Sequence, residues 1–260
     1  MIIDFHNHYY PPEFLDSIRS EPSNFRVTDD DEGNPVLHSP GDYNVIVPGH
    51  RDIDFRVSVL DEAGVDKQVL TFTAPGTSIE SPERAAELAT IVNDGLASAR
   101  DRHPERFTAL AHLPLNNPQA ALGELDRVLD ELNFPGVMLY SNASGVPLAD
   151  ERFWPVYERA DQAEAIIYIH PTYPLGVEAM EEYMLMPLVG FLMDTTLATA
   201  HLIYAGVPER FPRIRWALCH TGGAIPFLAE RLDRGFEAYS RCRSNISRLP
   251  SEYLRDFYYD

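Results

Sequence analysis

The chain has 260 residues, 45% of them hydrophobic and 11% aromatic, enough for one large domain or two small ones. A formal net charge of −19 argues against nucleic acid and anionic membrane surfaces as partners, although a metal ion and a few arginines can reverse the potential locally for a small anionic substrate. No membrane span or signal peptide is expected, and two cysteines, Cys219 and Cys242, are no disulfide framework, so a reducing cytoplasm is the expected compartment.

The first apolar run, residues 1–5, reads as a strand, and His6-Asn7-His8 follows it at once. In a strand alternate residues share a face, so the two imidazoles can aim at one point as metal ligands. The alternative is a pair of surface histidines near a terminus. Residues 20–51 are acidic, rich in Pro and Gly and weakly periodic, which suits a lid-like excursion or a solvated loop. A helix is expected over 53–63, stopping before Gly64, and a strand over 67–72 that opens on Lys67, the only lysine. Ser81 as N-cap and Pro82 behind it start a helix over 81–102. A strand over 107–111 ends just before His112, and a helix covers 118–132. A strand over 136–140 and a helix over 150–163 come next. The strand at 165–169 is followed immediately by His170. Residues 175–205, rich in Met and Leu, look like two helices used for packing or subunit contact. The strand at 215–219 leads directly into His220, and a long helix over 222–239 and a strand over 257–259 complete the pattern.

Short, continuous apolar strands alternating with helices indicate a parallel α/β fold over one domain, residues 1–260. In a (β/α)8 barrel the chemistry is built at the C-terminal ends of strands. One histidine after a strand is more often a turn residue than a ligand. Here three separate strand ends carry His6 with His8, His170 and His220, which shifts the reading to a site. Of the remaining histidines, His112 could line the same mouth, His103 and His201 lie in helical patterns, and His38 and His50 lie in the excursion.

The motifs His6-Asn7-His8, Ile169-His170-Pro171 and Cys219-His220-Thr221-Gly222-Gly223-Ala224-Ile225-Pro226-Phe227 resemble the amidohydrolase superfamily, amidohydrolase-2 branch. Within it they are similar to aminocarboxymuconate-semialdehyde decarboxylase and related aromatic-acid decarboxylases. Leu60-Asp61-Glu62-Ala63-Gly64-Val65, Phe134-Pro135-Gly136-Val137 and residues 205–212 match in the same order.

The resemblance implies a distorted (β/α)8 TIM barrel with one divalent metal ion. His6, His8 and His170 would be its ligands and His220 the acid/base. Arg231 would reach a substrate carboxylate, often in a neighbouring subunit's site, where its planar fork suits bidentate binding. Zn is the expected ion, with Mn the alternative. The expected partners are a small anionic organic substrate and a second copy of the chain, as a homodimer.

Two departures stand out. The family's last ligand, an Asp in a Gly-[Ser/Thr]-Asp-[Tyr/Phe]-Pro motif after the eighth strand, does not occur in these residues, and the eighth strand itself is expected to be missing. Asp260 follows the seventh strand and is a substitute ligand at best. Val47 stands where the decarboxylase carries an arginine, which opens the identity of the substrate. The expected reaction is non-oxidative decarboxylation. The alternatives are hydrolysis or hydration on the same barrel, and a non-catalytic metal-binding homologue.

Overall fold

In the computed structural model, which describes residues 1–39, 42–174 and 176–260, each of the short apolar runs holds a strand. Two units contain them, Met1–Pro135 and Gly136–Asp260.

The first unit runs β1 (Ile3–Asp4), α1 (Pro12–Ser20), β2 (Arg26–Asp29), β3 (Pro35–Ser39), β4 (Asp42–Val45), α2 (Pro48–Arg51), α3 (Ile53–Ala63), β5 (Lys67–Leu70), α4 (Pro82–Arg102), β6 (Phe107–Ala109), β7 (Ala111–His112) and α5 (Pro118–Asp130). Strand β5 sits between β1 and β6 and is parallel to both. Helix α3 begins at Asp52, whose carboxylate accepts from the amides of Asp54 and Phe55 at 3.0 and 3.1 Å, and ends at left-handed Gly64. Helix α4 begins at Ser81, whose hydroxyl accepts from the Arg84 amide at 3.3 Å, with Pro82 in its first turn. Its buried Leu88, Val92 and Leu96 recur every fourth residue, one apolar stripe facing the core. Gly95 lies on that helix where a Cβ would come within 2.3 Å of the Pro11 Cβ, so a glycine lets the chain entering α1 pass close by.

The excursion at 20–51 is not a loop. Strands β2, β3 and β4 form an antiparallel meander, with Val36 and Leu37 buried and flanked by buried Phe25 and Ile46. Pro40 and Gly41, within that span, lie outside the described residues. The acidic turn that suggests solvation is itself built: Asp30 accepts from the amides of Glu32 and Asn34 at 2.9 and 2.7 Å and so closes the β2–β3 hairpin.

The second unit runs β8 (Gly136–Tyr140), β9 (Asn142–Ala143), β10 (Val146–Pro147), α6 (Trp154–Gln162), β11 (Ile166–His170), α7 (Phe191–Tyr204), α8 (Val207–Arg210), β12 (Arg215–Leu218), α9 (Ala229–Ala238), α10 (Pro250–Leu254) and β13 (Tyr258–Tyr259). Strands β8, β11, β12 and β13 are parallel neighbours in that order. Their side chains Val137, Leu139, Ile167, Ile169 and Leu218 are buried, as a parallel sheet covered on both faces requires. Trp216 stacks on Phe257 at 6.1 Å and meets Tyr157 of α6 edge-on at 5.6 Å, tying sheet to helix.

Two expected helices are shorter than the pattern suggests. The one over 222–239 starts only at Ala229, because Gly222 and Gly223 are left-handed and Pro226 lacks an amide donor. The one over 150–163 opens as a 3-10 turn capped by Asp150, with α6 beginning at Trp154. In the segment 175–205, Leu175 lies outside the described residues; the rest holds a 3-10 turn, Val177–Met180, and a π turn, Met186–Gly190, that runs into α7. By length and composition Met186–Tyr204 is long and apolar enough to cross a membrane. Its Asp194, Thr195, Thr199, Leu202 and Ile203 are buried inside the unit, so one face of it is core.

Candidate metal centre

In the first unit β1 stops at Asp4, and His6-Asn7-His8 is an irregular segment just beyond the strand, not part of it. The two imidazoles still meet edge to face, with ring centroids 5.5 Å apart. A polar scaffold fixes the segment. The His6 amide donates to Asp4 Oδ1 at 3.1 Å, and Asn7 Nδ2 donates to the Val69 carbonyl at 2.8 Å. The Tyr9 amide donates to the Thr71 carbonyl at 2.8 Å.

Beneath it lies Arg56 of α3, only 5% exposed. Its guanidinium donates to Asn7 Oδ1 at 2.7 Å, Gln68 Oε1 at 3.1 Å, the Gly49 carbonyl at 2.7 Å and the His8 carbonyl. These acceptors are neutral, and burial brings its pKa down to about 10.

Thr71 sets the state of His8. Its hydroxyl donates to the Asn7 carbonyl, so toward His8 Nδ1, 3.3 Å away, its oxygen acts as acceptor. That places the proton on Nδ1 and the lone pair on Nε2.

In the second unit His170 is the last residue of β11 and is 3% exposed. Its Nδ1 lies 2.7 Å from the Pro171 carbonyl, which can only accept, so Nε2 again carries the lone pair. The same device appears at both histidines: one ring nitrogen is tied to the protein, and the other is a fixed donor. A carbonyl or hydroxyl behind the ring is the usual support of a metal-binding imidazole. Each of these imidazoles, within its own unit, therefore has the chemistry of a ligand to a divalent ion.

His220 stands beside His170, ring centroids 5.4 Å apart, and Phe191 of α7 covers both rings at 6.3 and 6.2 Å. It opens a tight left-handed turn: His220, Thr221, Gly222 and Gly223 have φ of 52°, 52°, 79° and 62°. Two non-glycine residues in that region store strain, a feature of functional sites. A Cβ on Gly223 would stand 2.2 Å from the Leu192 carbonyl, so the turn is pressed onto α7 and needs glycine there. Asp260 braces the turn from the other side, accepting from the Thr221 amide at 2.8 Å and the Tyr168 hydroxyl at 2.6 Å.

Asp194 and Ser141, which the sequence reading did not single out, and Cys219, named there only as a motif residue, complete the second unit's site. Asp194, 8% exposed, accepts from the Thr172 amide at 3.0 Å and from the Ser141 hydroxyl, and burial raises its pKa. The Ser141 amide in turn donates to the His170 carbonyl at 2.8 Å, so Asp194 is linked to the β11 end. Cys219 Sγ lies 3.0 Å from His220 Nδ1, and burial pushes its thiol pKa well up. An Asp inside the apolar run of α7 was the available signal for the first of these.

Among the other histidines, His112 is a buried core residue: its Nε2 accepts from the Thr77 amide at 3.2 Å, and burial brings its pKa down to about 3. His103 pairs with Asp54 at 2.7 Å, and His38 bonds Thr28 across the meander at 2.8 Å. Arg231 lies exposed on α9.

The family described as amidohydrolase matches residues 3–256. The 2-amino-3-carboxymuconate-6-semialdehyde decarboxylase of Dictyostelium discoideum is 34% identical over 212 residues, 80% of this chain and 59% of its own length. The chain thus spans about three fifths of the curated relatives it matches first. The crystal structure of 5-carboxyvanillate decarboxylase from Sphingomonas paucimobilis superposes with a TM-score of 0.82 at 26% identity, covering 99% of this chain and 79% of that one. The dihydroxybenzoic acid decarboxylase of Polaromonas sp. JS666, solved with manganese and the inhibitor 2-nitroresorcinol, gives 0.80 at 26% identity, covering 99% and 77%. The distorted (β/α)8 barrel that the family resemblance implies is the fold of these structures, while the strands described here fall into separate sheets that do not close a barrel.

Proposed function

The chain belongs to the amidohydrolase family, and from that membership we propose that it acts as a metal-dependent non-oxidative decarboxylase of a small aromatic or muconate-type carboxylic acid. The observation that carries the reading is the paired tautomer device, which makes Nε2 of His8 and Nε2 of His170 committed lone-pair donors. With His6 they would hold one divalent ion. Three imidazoles favour Zn, while the Polaromonas relative was solved with manganese. When bound, such an ion supplies Lewis-acid polarisation of substrate oxygens.

The remaining chemistry is the chain's own. His220 delivers a proton to the ring carbon that bears the carboxylate. The bond from that carbon to the carboxylate then breaks, its electron pair returns to the ring, and CO2 leaves. The left-handed turn holds His220 against His170, and Phe191 shields both rings from water. Arg231 grips the substrate carboxylate as a bidentate fork. Its exposed position supports a site completed by a second copy, so a homodimer is part of the proposal. The two unpaired cysteines support a reducing, cytoplasmic setting.

The test is a panel of hydroxybenzoates and muconate semialdehydes, with CO2 release followed against metal-stripped protein. Metal-dependent CO2 release from a member of the panel is the expected result. Turnover of lactones or enol acids without CO2 would replace this reading with a hydrolase or hydratase.

A further inference from the structure

We propose that His170, Cys219 and His220 form an alternative donor set, competing for His170 with the ion of the proposed function and selective for a soft divalent cation such as zinc or cadmium. The donor atoms of the three residues all lie within 4.8 Å of one another. Cys219 Sγ is 3.0 Å from His220 Nδ1, and His170 presents Nε2 because its Nδ1 is held by the Pro171 carbonyl at 2.7 Å. A tetrahedral ion with Zn–S near 2.3 Å and Zn–N near 2.0–2.1 Å spans donor separations of roughly 3.5 Å, which these side chains reach with small movements. The Thr195 hydroxyl donates to the Phe191 carbonyl at 3.1 Å, so its oxygen, 3.7 Å from Sγ, faces the thiol as an acceptor.

The set mixes one thiol with two imidazoles. That chemistry favours zinc or cadmium and discriminates against manganese and magnesium, which prefer oxygen. When the sulfur–metal bond forms, the thiol proton leaves to the buffer, so binding one ion releases one proton. Cys219 and His170 are buried and His220 is half-buried, so the ion enters on the His220 side. A consequence, which rests on the function proposed above, is that a soft cation seated here removes His170 and His220 from catalysis and inhibits the enzyme. The donor set itself does not depend on that function.

Because the chain has two cysteines, Cys242→Ser leaves Cys219 as the one thiol. Cadmium titration of that variant is expected to raise the ultraviolet thiolate-to-cadmium charge-transfer band to one equivalent per chain, with proton release in step. Adding Cys219→Ser should abolish the band while circular dichroism stays that of the folded chain. In a second arm, His220→Asn in the Cys242→Ser background is expected to weaken the band's cadmium dependence by at least about tenfold. A saturating cadmium titration that raises no charge-transfer band, or a band that survives loss of Cys219, would overturn the proposal. Neither arm reads activity, so both remain decisive even if decarboxylation is not observed.

Discussion

Two buried titratable residues make opposite demands on pH. His112 is held neutral in the folded chain down to about pH 3, against an ordinary value of 6.5, because burial penalises its cation. Below about 6.5 the unfolded chain binds a proton that the folded chain refuses. Stability from this residue is therefore complete above that pH and is lost as pH falls toward 3, by up to about 1.4 kcal/mol per unit. Asp194 has the reverse sign: its raised pKa means the folded chain binds the extra proton, so its contribution is lost as pH rises above the ordinary carboxylate range. His112→Gln keeps an acceptor for the Thr77 amide and lacks the titration. Urea unfolding near pH 7.5 and near pH 5 is expected to give a clearly smaller stability loss for this variant than for wild type, and equal losses would contradict the assignment.

At the scale of elements, the strand–helix alternation was legible because buried parallel strands are written as continuous apolar runs. The helix start at Ser81 was equally plain, since its hydroxyl caps an amide that is otherwise unsatisfied, whereas the cap at Asp52 came to light only in the structure. The meander over 26–45 was not legible, because it is short and amphipathic and its charged turn reads as solvent. The positions of His6, His8, His170 and His220 at strand ends could be read from sequence. Their supports could not: Thr71 and Arg56 lie 63 and 48 residues from His8, and only the β1–β5 pairing and the α3 approach bring them there.

Arg56 is the support with the most to test. Lysine in its place keeps the charge but cannot reach Asn7, Gln68, Gly49 and His8 together. Arg56→Lys is expected to cost about 2 kcal/mol of stability in the metal-free protein. It is also expected to lower metal affinity by about 10–100-fold through loosening of the His6–His8 segment. Competition against a chelator measures the affinity. Loss of stability with unchanged affinity would make Arg56 a residue of the core only.

For the whole molecule, the exposed apolar side chains of Tyr183, Met184, Leu188 and Val189 in one segment, with Met193 and Leu197 of α7 beyond them, mark a surface unusual for a chain carrying a net charge of −19. The proposed dimer, in which each copy would lend Arg231 to the other, would cover this surface. Mixing Arg231→Ala with His220→Asn under conditions that exchange subunits is then expected to restore part of the activity that each variant lacks alone. No recovery, with exchange verified by mass, would put Arg231 in its own chain's site or outside catalysis.

The central proposal, which rests on the family resemblance of the motifs, is that His6, His8 and His170 would hold one ion. Crystals grown with manganese, which the His170–Cys219–His220 set disfavours, and measured at the metal's absorption edge test it most directly. A single anomalous peak is expected about 2.0–2.2 Å from Nε2 of His8 and Nε2 of His170, with His6 completing the three imidazoles. A peak bonded instead to Nδ1 of either ring, or ordered imidazoles with no peak between them, would contradict it.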